Sequence, residues 1–289
     1  MSIVTRFAPS PTGRLHLGHA YSAVRAHDKA RAADGVFRLR IEDIDGTRCR
    51  PEYVDAIIDD LAWLGVDWQP PLLIQSQRLP LYAGALDRLI AEGLAYPCFC
   101  SRADIAREVA ASLSAPHGAD GALYPGTCRA IAPDVAAHRV ESEPHSWRLD
   151  AGAAMRRLGP LSWHDARAGI VAVAPEALGD IILKGRDRPA SYHLAAVVDD
   201  AATGVTLVTR GMDLFASTHV QRILQGLLGL PEPQYHHHAL IAGPDGRRLA
   251  KRDAAAGLDM LRAGGVDGRA LAAGLRAGQL PIGFTLLEA

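Results

Sequence analysis

The most informative segment lies near the start of the chain, Arg6-Phe7-Ala8-Pro9-Ser10-Pro11-Thr12-Gly13-Arg14-Leu15-His16-Leu17-Gly18-His19. The short, partly β-branched segment 3–7 predicts a strand that stops at Pro9. The Ala-rich segment Gly18–Arg31 favours a helix. A strand, a loop rich in Gly and Pro, and a helix in this order are typical of a parallel α/β sheet, with the loop at the carboxyl edge where ligands bind.

Two histidines flank a glycine where this helix begins. A helix N-terminus attracts phosphate through its free N–H groups and the positive end of its dipole. Gly18 lets a backbone or a nucleotide base approach closely, and His16 and His19 can donate hydrogen bonds to phosphate oxygens. Because His-x-Gly-His also occurs as an incidental helix cap, the motif alone leaves both interpretations open.

The rest of the chain continues the alternation of strands and helices. Val36–Ile41 predicts a second strand, and helical periodicity follows at Glu52–Leu64 and Leu79–Leu94. The alternation resumes at Tyr192–Val198, Thr206–Thr209 and Thr218–Leu230. We therefore expect an α/β fold with a Rossmann-type parallel sheet. We expect its catalytic domain at 1–95 and 190–253, an inserted subdomain at 96–189, and a short C-terminal segment at 254–289.

Composition sets broad limits on the function. The chain has 289 residues, of which 48% are hydrophobic and 22% charged, as in ordinary globular proteins. No apolar run reaches the roughly 20 residues that span a bilayer, and the start lacks signal-peptide features, so we expect a cytoplasmic protein with no membrane contact. The net charge of −1 gives no global signal for nucleic acid, although a local basic face could bind it.

The opening stretch resembles the signature of glutamyl-tRNA synthetases, in which such a loop precedes the HIGH-type motif of class I enzymes. The resemblance runs from Arg6 to about residue 253. It implies that Arg6 forms a salt bridge with the side-chain carboxylate of glutamate, and a guanidinium suits a carboxylate because two parallel hydrogen bonds fix it. It also implies that Ala8 and Ser10 lie against the amino acid. The ATP-binding residues it implies are His16, Gly18 and His19, with both histidines catalytic.

Further segments resemble the same family. Arg40-Ile41-Glu42-Asp43-Ile44-Asp45 matches its LRIEDTD run, which implies that Glu42 binds the α-ammonium group of glutamate. We expect Asp43 and Asp45 to be structural. The segments 186–195 and 208–214 imply that Tyr192 and Arg210 contact glutamate and that Asp213 shapes the site; by itself, Arg210 could also be a surface arginine.

The run Arg247-Arg248-Leu249-Ala250-Lys251-Arg252-Asp253 falls where the family has its KMSKS-type loop. By that match Lys251 is catalytic and binds ATP as a point charge on the developing pyrophosphate. Ala250 replaces the usual serine, which removes one hydrogen bond of roughly 0.5–1.5 kcal/mol. The triplet 236–238, three histidines, is expected to precede a strand and, lacking acidic partners, to bind no metal.

Three of the four cysteines are clustered, Cys98, Cys100 and Cys128, which favours a metal over disulfides in a cytoplasmic chain. The pattern Cys-x-Cys…Tyr-x-x-x-Cys resembles the zinc site of a truncated glutamyl subfamily, the glutamyl-queuosine tRNA(Asp) synthetases. It implies one structural Zn²⁺ with Tyr124 as the fourth ligand. His117 or water could take that place instead, and the cysteines could also have lost their metal.

The resemblance implies a two-step reaction. L-glutamate and ATP, with Mg²⁺, form glutamyl-adenylate without tRNA, and no general base is needed because the attacking α-carboxylate is already an anion. The glutamate then passes to queuosine at the wobble position of tRNA(Asp), with the anticodon arm docked on the inserted, acceptor-binding subdomain of a monomer. We expect no anticodon-binding domain, since 36 residues after Asp253 cannot supply one. The alternatives are a fragment that glutamylates the tRNA 3′ end, and a non-catalytic sensor of glutamate or tRNA.

Overall fold

The structure is a computed structural model that describes residues 2–101, 103–106, 117–118, 121–122, 124–174, 179–249 and 257–287. Its strands and helices alternate along the chain, as the sequence predicts, and form an α/β fold with a parallel sheet. Among the described residues, no helix has both the length and the apolar composition needed to cross a bilayer.

The first half of the catalytic sheet is formed by β1 (Val4–Phe7), β2 (Val36–Ile41) and β3 (Leu73–Ile74). The strands are parallel, with Arg6 opposite Arg38 and Arg40 opposite Leu73. Helices α1 (Leu17–Arg31) and α2 (Pro51–Leu64) bury their apolar faces against it. The predicted strand at 36–41 is confirmed, as are the helices predicted from Gly18 and from Glu52, each within one residue at its start.

Three helices lie between the two halves of the sheet in sequence: α3 (Leu79–Ala91), α4 (Pro133–Ser142) and α5 (Ala151–Leu158). The second half of the catalytic domain comprises α6 (Tyr192–Ala202), β11 (Leu207–Gly211), α7 (Ser217–Leu228) and β12 (Gln234–His238). Strands β11 and β12 are parallel. Thr206 donates its backbone N–H to the carbonyl of Val4 (3.0 Å), so β11 lies beside β1 and the two halves share one edge.

The middle region forms a three-stranded antiparallel sheet of β4 (Ala95–Cys98), β7 (Ser146–Leu149) and β10 (Ile182–Lys184), together with the small hairpin β5 (His117–Gly118) and β6 (Gly121–Ala122). Part of the segment 96–189 nevertheless belongs elsewhere. Strand β8 (Ser162–Asp165) pairs in parallel with β12, and β9 (Gly169–Ala172) pairs with β8. The predicted insertion therefore also contributes two strands to the catalytic sheet.

The C-terminal segment completes the packing around the first half. It holds α8 (Leu258–Ala263), α9 (Gly268–Arg276) and β14 (Thr285–Leu287), and β14 pairs with β13 (Leu240–Ala242). Leu258, Leu271 and Leu275 are buried in the same core as α1 and α2. This segment is therefore part of the scaffold that holds the edge of the sheet where β1 ends.

Candidate active site

A cavity of about 740 Å³ opens at the carboxyl ends of β1, β2 and β11. Its wall contains every residue that the sequence assigns to glutamate, namely Arg6, Ala8, Ser10, Glu42, Tyr192 and Arg210. It also contains the three described residues assigned to ATP, namely His16, Gly18 and His19. The predicted site residues thus meet in one space, although they come from segments up to about 200 positions apart.

The histidine pair forms a reciprocal cap on α1. Nδ1 of His16 accepts the backbone N–H of Gly18 (3.1 Å), and Nδ1 of His19 accepts the backbone N–H of His16 (3.1 Å). Because each Nδ1 is an acceptor, the neutral rings carry their hydrogen on Nε2. Both side chains therefore present a donor suited to phosphate oxygens at the positive end of the helix dipole.

Gly18 leaves room for the His16 ring in this cap. An ideal Cβ at this position would lie 3.0 Å from Cε1 and 3.1 Å from Nδ1 of His16. Such contacts are tighter than nine in ten real Cβ contacts, so a side chain here would require the His16 ring to shift by a few tenths of an ångström. The glycine keeps the ring over the first turn and leaves the helix N-terminus open to a ligand.

A buried ionic cluster lies beside the strand ends. Nε of Arg6 donates to Asp200 (3.0 Å), and NH1 of Arg40 donates to the same carboxylate oxygen (2.5 Å). NH2 of Arg40 donates to Glu42 (3.0 Å). Among the described residues, Asp200 is the hydrogen-bond partner of Arg6. The cluster therefore links two cavity residues, Arg6 and Glu42, through two residues that the motifs did not assign.

Charge compensation within this cluster is uneven. Burial would raise the pKa of Asp200, but Arg6 and Arg40 hold it below the usual range. Burial raises the pKa of Glu42 in spite of Arg40. The ionised form of Glu42 is therefore disfavoured in the free protein, and a cation bound in the cavity would favour it.

Arg210 occupies a different environment on the other side of the cavity. Its guanidinium donates to four neutral groups: Nε2 of His237 (3.0 Å), Oη of Tyr192 (3.1 Å), Oε1 of Gln221 (2.9 Å) and Oγ1 of Thr218 (2.6 Å). The residue is buried, with 4% of its surface exposed. Among the described residues no carboxylate pairs with it directly, so its charge is hydrogen-bonded but not neutralised. The sequence alternative of a surface arginine is wrong.

The histidine triplet differs from its prediction. His236, His237 and His238 lie within β12, and His237 has an acidic partner, since its Nδ1 lies 2.8 Å from Oδ2 of Asp165. Asp165 lies 72 residues earlier on β8, which the sequence placed in the insertion, so the pairing was invisible in the local pattern. Burial lowers the pKa of His237 to about 4, so the ring is neutral near pH 7.

The basic loop is described only up to Leu249. Arg248 pairs with Asp213 (2.5 Å) and lines the cavity. Asp213, predicted to shape the site, therefore anchors the start of this loop. Ala250 and Lys251 lie outside the described residues.

The two acids after Glu42 hold turns in place, as expected of structural residues. Asp43 accepts hydrogen bonds from the backbone N–H (2.8 Å) and the hydroxyl (2.6 Å) of Ser76. Asp45 pairs with Arg48 (2.6 Å) and with Arg188 (2.9 Å). Neither residue lines the cavity.

The three clustered thiols converge where β4 ends at Cys98, beside the helical turn Thr127–Ala130. Their sulfur atoms, on Cys98, Cys100 and Cys128, lie within 4.8 Å of one another. Oη of Tyr124 lies 3.6 Å from Sγ of Cys100 and accepts the backbone N–H of Cys128 (2.9 Å). Zinc–sulfur bonds of about 2.3 Å place the sulfurs of a tetrahedral site about 3.8 Å apart. These donors could therefore bind a metal ion; of His117 the structure describes only the backbone, in β5.

The protonation of these groups depends on whether a cation is bound. Burial raises the pKa of Cys100 to about 12 and raises that of Tyr124 above its ordinary value. The guanidinium carbon of Arg148 lies 3.9 Å from the centre of the Tyr124 ring. A bound divalent cation would lower both pKa values and satisfy the buried donors together.

Sequence reasoning missed the residues behind the two arginines, namely Arg40, Asp165, Asp200, Thr218, Gln221 and His237. One signal was present in the sequence: Asp199 and Asp200 end an otherwise apolar segment that is now seen as α6. Two adjacent acids on a buried helix need buried partners. Asp199 finds them in Gln75, Arg78 and Tyr82, at 2.7–2.8 Å, and Asp200 finds them in Arg6 and Arg40.

Known proteins resemble this chain over most of its length. Residues 2–279 match the family model of the tRNA synthetases class I (E and Q), catalytic domain. The glutamyl-Q tRNA(Asp) synthetase of Rhodobacter capsulatus is 49% identical over 271 residues, covering 92% of this chain and 96% of that protein. The glutamyl-Q tRNA(Asp) synthetase of Symbiobacterium thermophilum is 44% identical, covering 91% and 82%.

Solved structures of glutamate ligases share the fold. The glutamate tRNA ligase of Elizabethkingia meningosepticum, solved in complex with its amino acid, superposes with a TM-score of 0.74 at 27% identity. The glutamate-tRNA synthetase of Elizabethkingia anophelis gives 0.75 at 26%. Each alignment covers 88% of this chain, which spans about half the length of those two enzymes, 52% and 53%.

Proposed function

This chain belongs to the class I tRNA synthetases for glutamate and glutamine, and within them to the glutamyl-Q tRNA(Asp) synthetases, and on that premise we propose that it activates L-glutamate with ATP. It is a ligase of the aminoacyl-tRNA synthetase type. The observation that carries the proposal is the single cavity in which Arg6, Glu42 and Arg210 face the capped helix of His16 and His19.

The charges in the cavity suit the two ends of glutamate. The buried guanidinium of Arg210 lacks a carboxylate partner among the described residues, and Arg6 lines the same wall. We propose that these arginines bind carboxylate groups of the substrate, with Arg6 on the side chain, and that Glu42 binds the α-ammonium group. Ala8, Ser10 and Tyr192 complete the contact with the amino acid.

The activation step needs no base. An oxygen of the glutamate α-carboxylate attacks the α-phosphorus of ATP, the bond from that phosphorus to the bridging oxygen breaks, and pyrophosphate leaves with the electron pair. Gly18 leaves room for the nucleotide, while His16, His19 and Lys251 stabilise the developing charge. Mg²⁺ arrives as the metal complex of ATP. Catalysis then consists of positioning and charge stabilisation.

In the second step, a hydroxyl group of the acceptor attacks the carbonyl of glutamyl-adenylate and AMP leaves. We propose that the acceptor is queuosine at the wobble position of tRNA(Asp), as the names of the relatives indicate. The anticodon arm would dock on the region 96–189 of a monomer. There Cys98, Cys100, Tyr124 and Cys128 fit one structural Zn²⁺, which would bind these donors and fix the fold around them.

Two assays test the proposal against its alternatives. Glutamate-dependent exchange between ATP and pyrophosphate is expected without tRNA; its absence, with and without tRNA, would favour a non-catalytic sensor. Transfer to queuosine-containing tRNA(Asp) is expected to persist when the terminal adenosine of the tRNA is missing. Loss of transfer to this shortened tRNA would favour 3′-end charging.

A further inference from the structure

A buried chain of hydrogen bonds supports Arg210 from behind. Asp165 and His237 both have 0% side-chain exposure. Oδ2 of Asp165 accepts the backbone N–H of His237 (3.0 Å) and lies 2.8 Å from its ring Nδ1. On the far side of the ring, Nε of Arg210 donates to Nε2 of His237 (3.0 Å). The three side chains form a continuous line from β8, across β12, to the cavity.

This geometry fixes the tautomer of His237. A guanidinium nitrogen can only donate, so Nε2 is the acceptor, and the hydrogen of the neutral ring is on Nδ1, directed at Asp165. The opposite tautomer would place an N–H on Nε2 against the N–H of Arg210. The ring cannot turn freely, since it is stacked on Tyr235 and packed edgewise against Trp163 and Phe215.

We propose that Asp165 is a positioning residue for substrate binding: through the Nδ1–H tautomer of His237, it holds the guanidinium of Arg210 in place without neutralising it. The proposal rests on the proposed function of the cavity. A carboxylate in direct contact would pair with Arg210, as Asp200 pairs with Arg6. Here the imidazole of His237 lies between Asp165 and Arg210. The negative charge of Asp165 therefore orders the guanidinium through the ring, while the positive charge of Arg210 stays available to a substrate carboxylate.

The tautomer can be observed without any activity. In protein labelled with ¹⁵N-histidine, the His237 resonances are assigned by their loss in His237→Gln. At pH 7 we expect a protonated Nδ1 and an unprotonated Nε2. A hydrogen on Nε2 would overturn the proposal, whatever the enzyme's activity.

A double-mutant cycle tests the consequence for glutamate. An Asn at position 165 offers an N–H to the ring and favours the wrong tautomer, so Asp165→Asn should raise the glutamate KM roughly 10- to 100-fold and leave the ATP KM unchanged. In His237→Gln the side-chain carbonyl accepts from Arg210 whatever stands at position 165. Adding Asp165→Asn to that variant should therefore change the glutamate KM by less than about threefold. An equal effect in both backgrounds would overturn the proposal.

A matched control separates positioning from folding. Asp180 is also a buried carboxylate, and it accepts from Tyr96, Arg129 and the backbone of Ala151, away from the cavity. Asp180→Asn should lower the melting temperature as Asp165→Asn does, but leave the glutamate KM within about twofold. If wild-type protein shows no exchange with glutamate, the proposed function fails, while the tautomer measurement still decides the inference.

Discussion

Two buried arginines face the same cavity in opposite electrostatic surroundings. Arg6, with 5% of its surface exposed, shares the carboxylate of Asp200 with Arg40. Arg210, with 4% exposed, is surrounded by neutral acceptors. A buried charge is stable only when it is paired or well hydrogen-bonded. Arg6 is therefore part of the scaffold as well as of the cavity wall, whereas Arg210 has its hydrogen bonds but lacks a direct counter-charge among the described residues.

The difference separates substrate binding from stability. Removing Arg6 leaves Asp200 with one cationic partner instead of two, so folding should suffer together with binding. Removing Arg210 leaves only neutral groups behind and takes away a buried charge that no carboxylate pairs with among the described residues, so binding should suffer more than stability. Methionine is a suitable replacement at both positions, because it fills much of the volume of an arginine stem without its charge.

The largest effect is expected at Arg210. Arg210→Met should lower kcat/KM for glutamate in pyrophosphate exchange about 1,000-fold. The variant loses the buried ion pair proposed between Arg210 and the substrate carboxylate, at a cost of about 4 kcal/mol. The melting temperature should stay equal to that of the wild type or rise. Near-normal glutamate kinetics in this variant would remove Arg210 from the site.

A smaller loss of activity, joined to a loss of stability, is expected at Arg6. Arg6→Met should lower kcat/KM for glutamate about 100-fold and the free energy of unfolding by about 2 kcal/mol, because Asp200 keeps only Arg40. Denaturant unfolding of the two methionine variants side by side measures the contrast. Equal stabilities would contradict the division of roles between the arginines.

How much of this contrast was predictable depends on distance along the chain. The motifs around Arg6, His16 and Glu42 are local, so their residues and the surrounding strand and helix could be predicted. The partners could not, because Asp200 lies 194 positions from Arg6 and Asp165 lies 72 from His237. Their pairing depends on which strands and helices become neighbours, and no short-range pattern encodes that.

The strand β8 illustrates the same limit. Its sequence, Ser162 to Asp165, lies among prolines and glycines that predict an insertion, and its burial alternates as in any strand with one covered face. Only its parallel pairing with β12 makes it part of the catalytic sheet. The cysteine cluster was predictable for the opposite reason, since its thiols are close in sequence and chemically distinctive.

The pH dependence of glutamate binding probes the Arg6 side of the cavity through Glu42. Burial raises the pKa of Glu42, so the free protein holds this proton to a higher pH than the unfolded chain does. Ionising Glu42 therefore lowers the free energy of unfolding as the pH rises between the ordinary and the raised pKa. In the proposed complex, the ammonium group of glutamate is bound by the ionised form of Glu42. Its KM should therefore increase several-fold as the pH falls through that window.

Glu42→Gln is the control for this titration. The variant should bind glutamate more weakly at pH 7 and should lose the increase of KM at acid pH, as measured by exchange between pH 8 and pH 5. The same slope in the variant would assign the titration to another group.

The smallest effect on glutamate-dependent exchange is expected from changes at the cysteine cluster. Elemental analysis should find about one zinc per chain, and its removal by a chelator should lower the melting temperature while glutamate-dependent exchange changes by less than about twofold. Cys128→Ser should likewise lower the melting temperature and change glutamate-dependent exchange by less than about twofold, because it removes one of three thiolates. Protein purified without chelator that contains no metal would contradict the zinc site.

We propose that a glutamate cavity of this type serves queuosine in tRNA(Asp). The most direct measurement is transfer of radiolabelled glutamate to tRNA(Asp) prepared with and without queuosine, at equal concentration and with the same enzyme. We predict that queuosine-containing tRNA(Asp) accepts about one glutamate per molecule and that the unmodified tRNA accepts none. Equal transfer to both tRNAs would contradict the account.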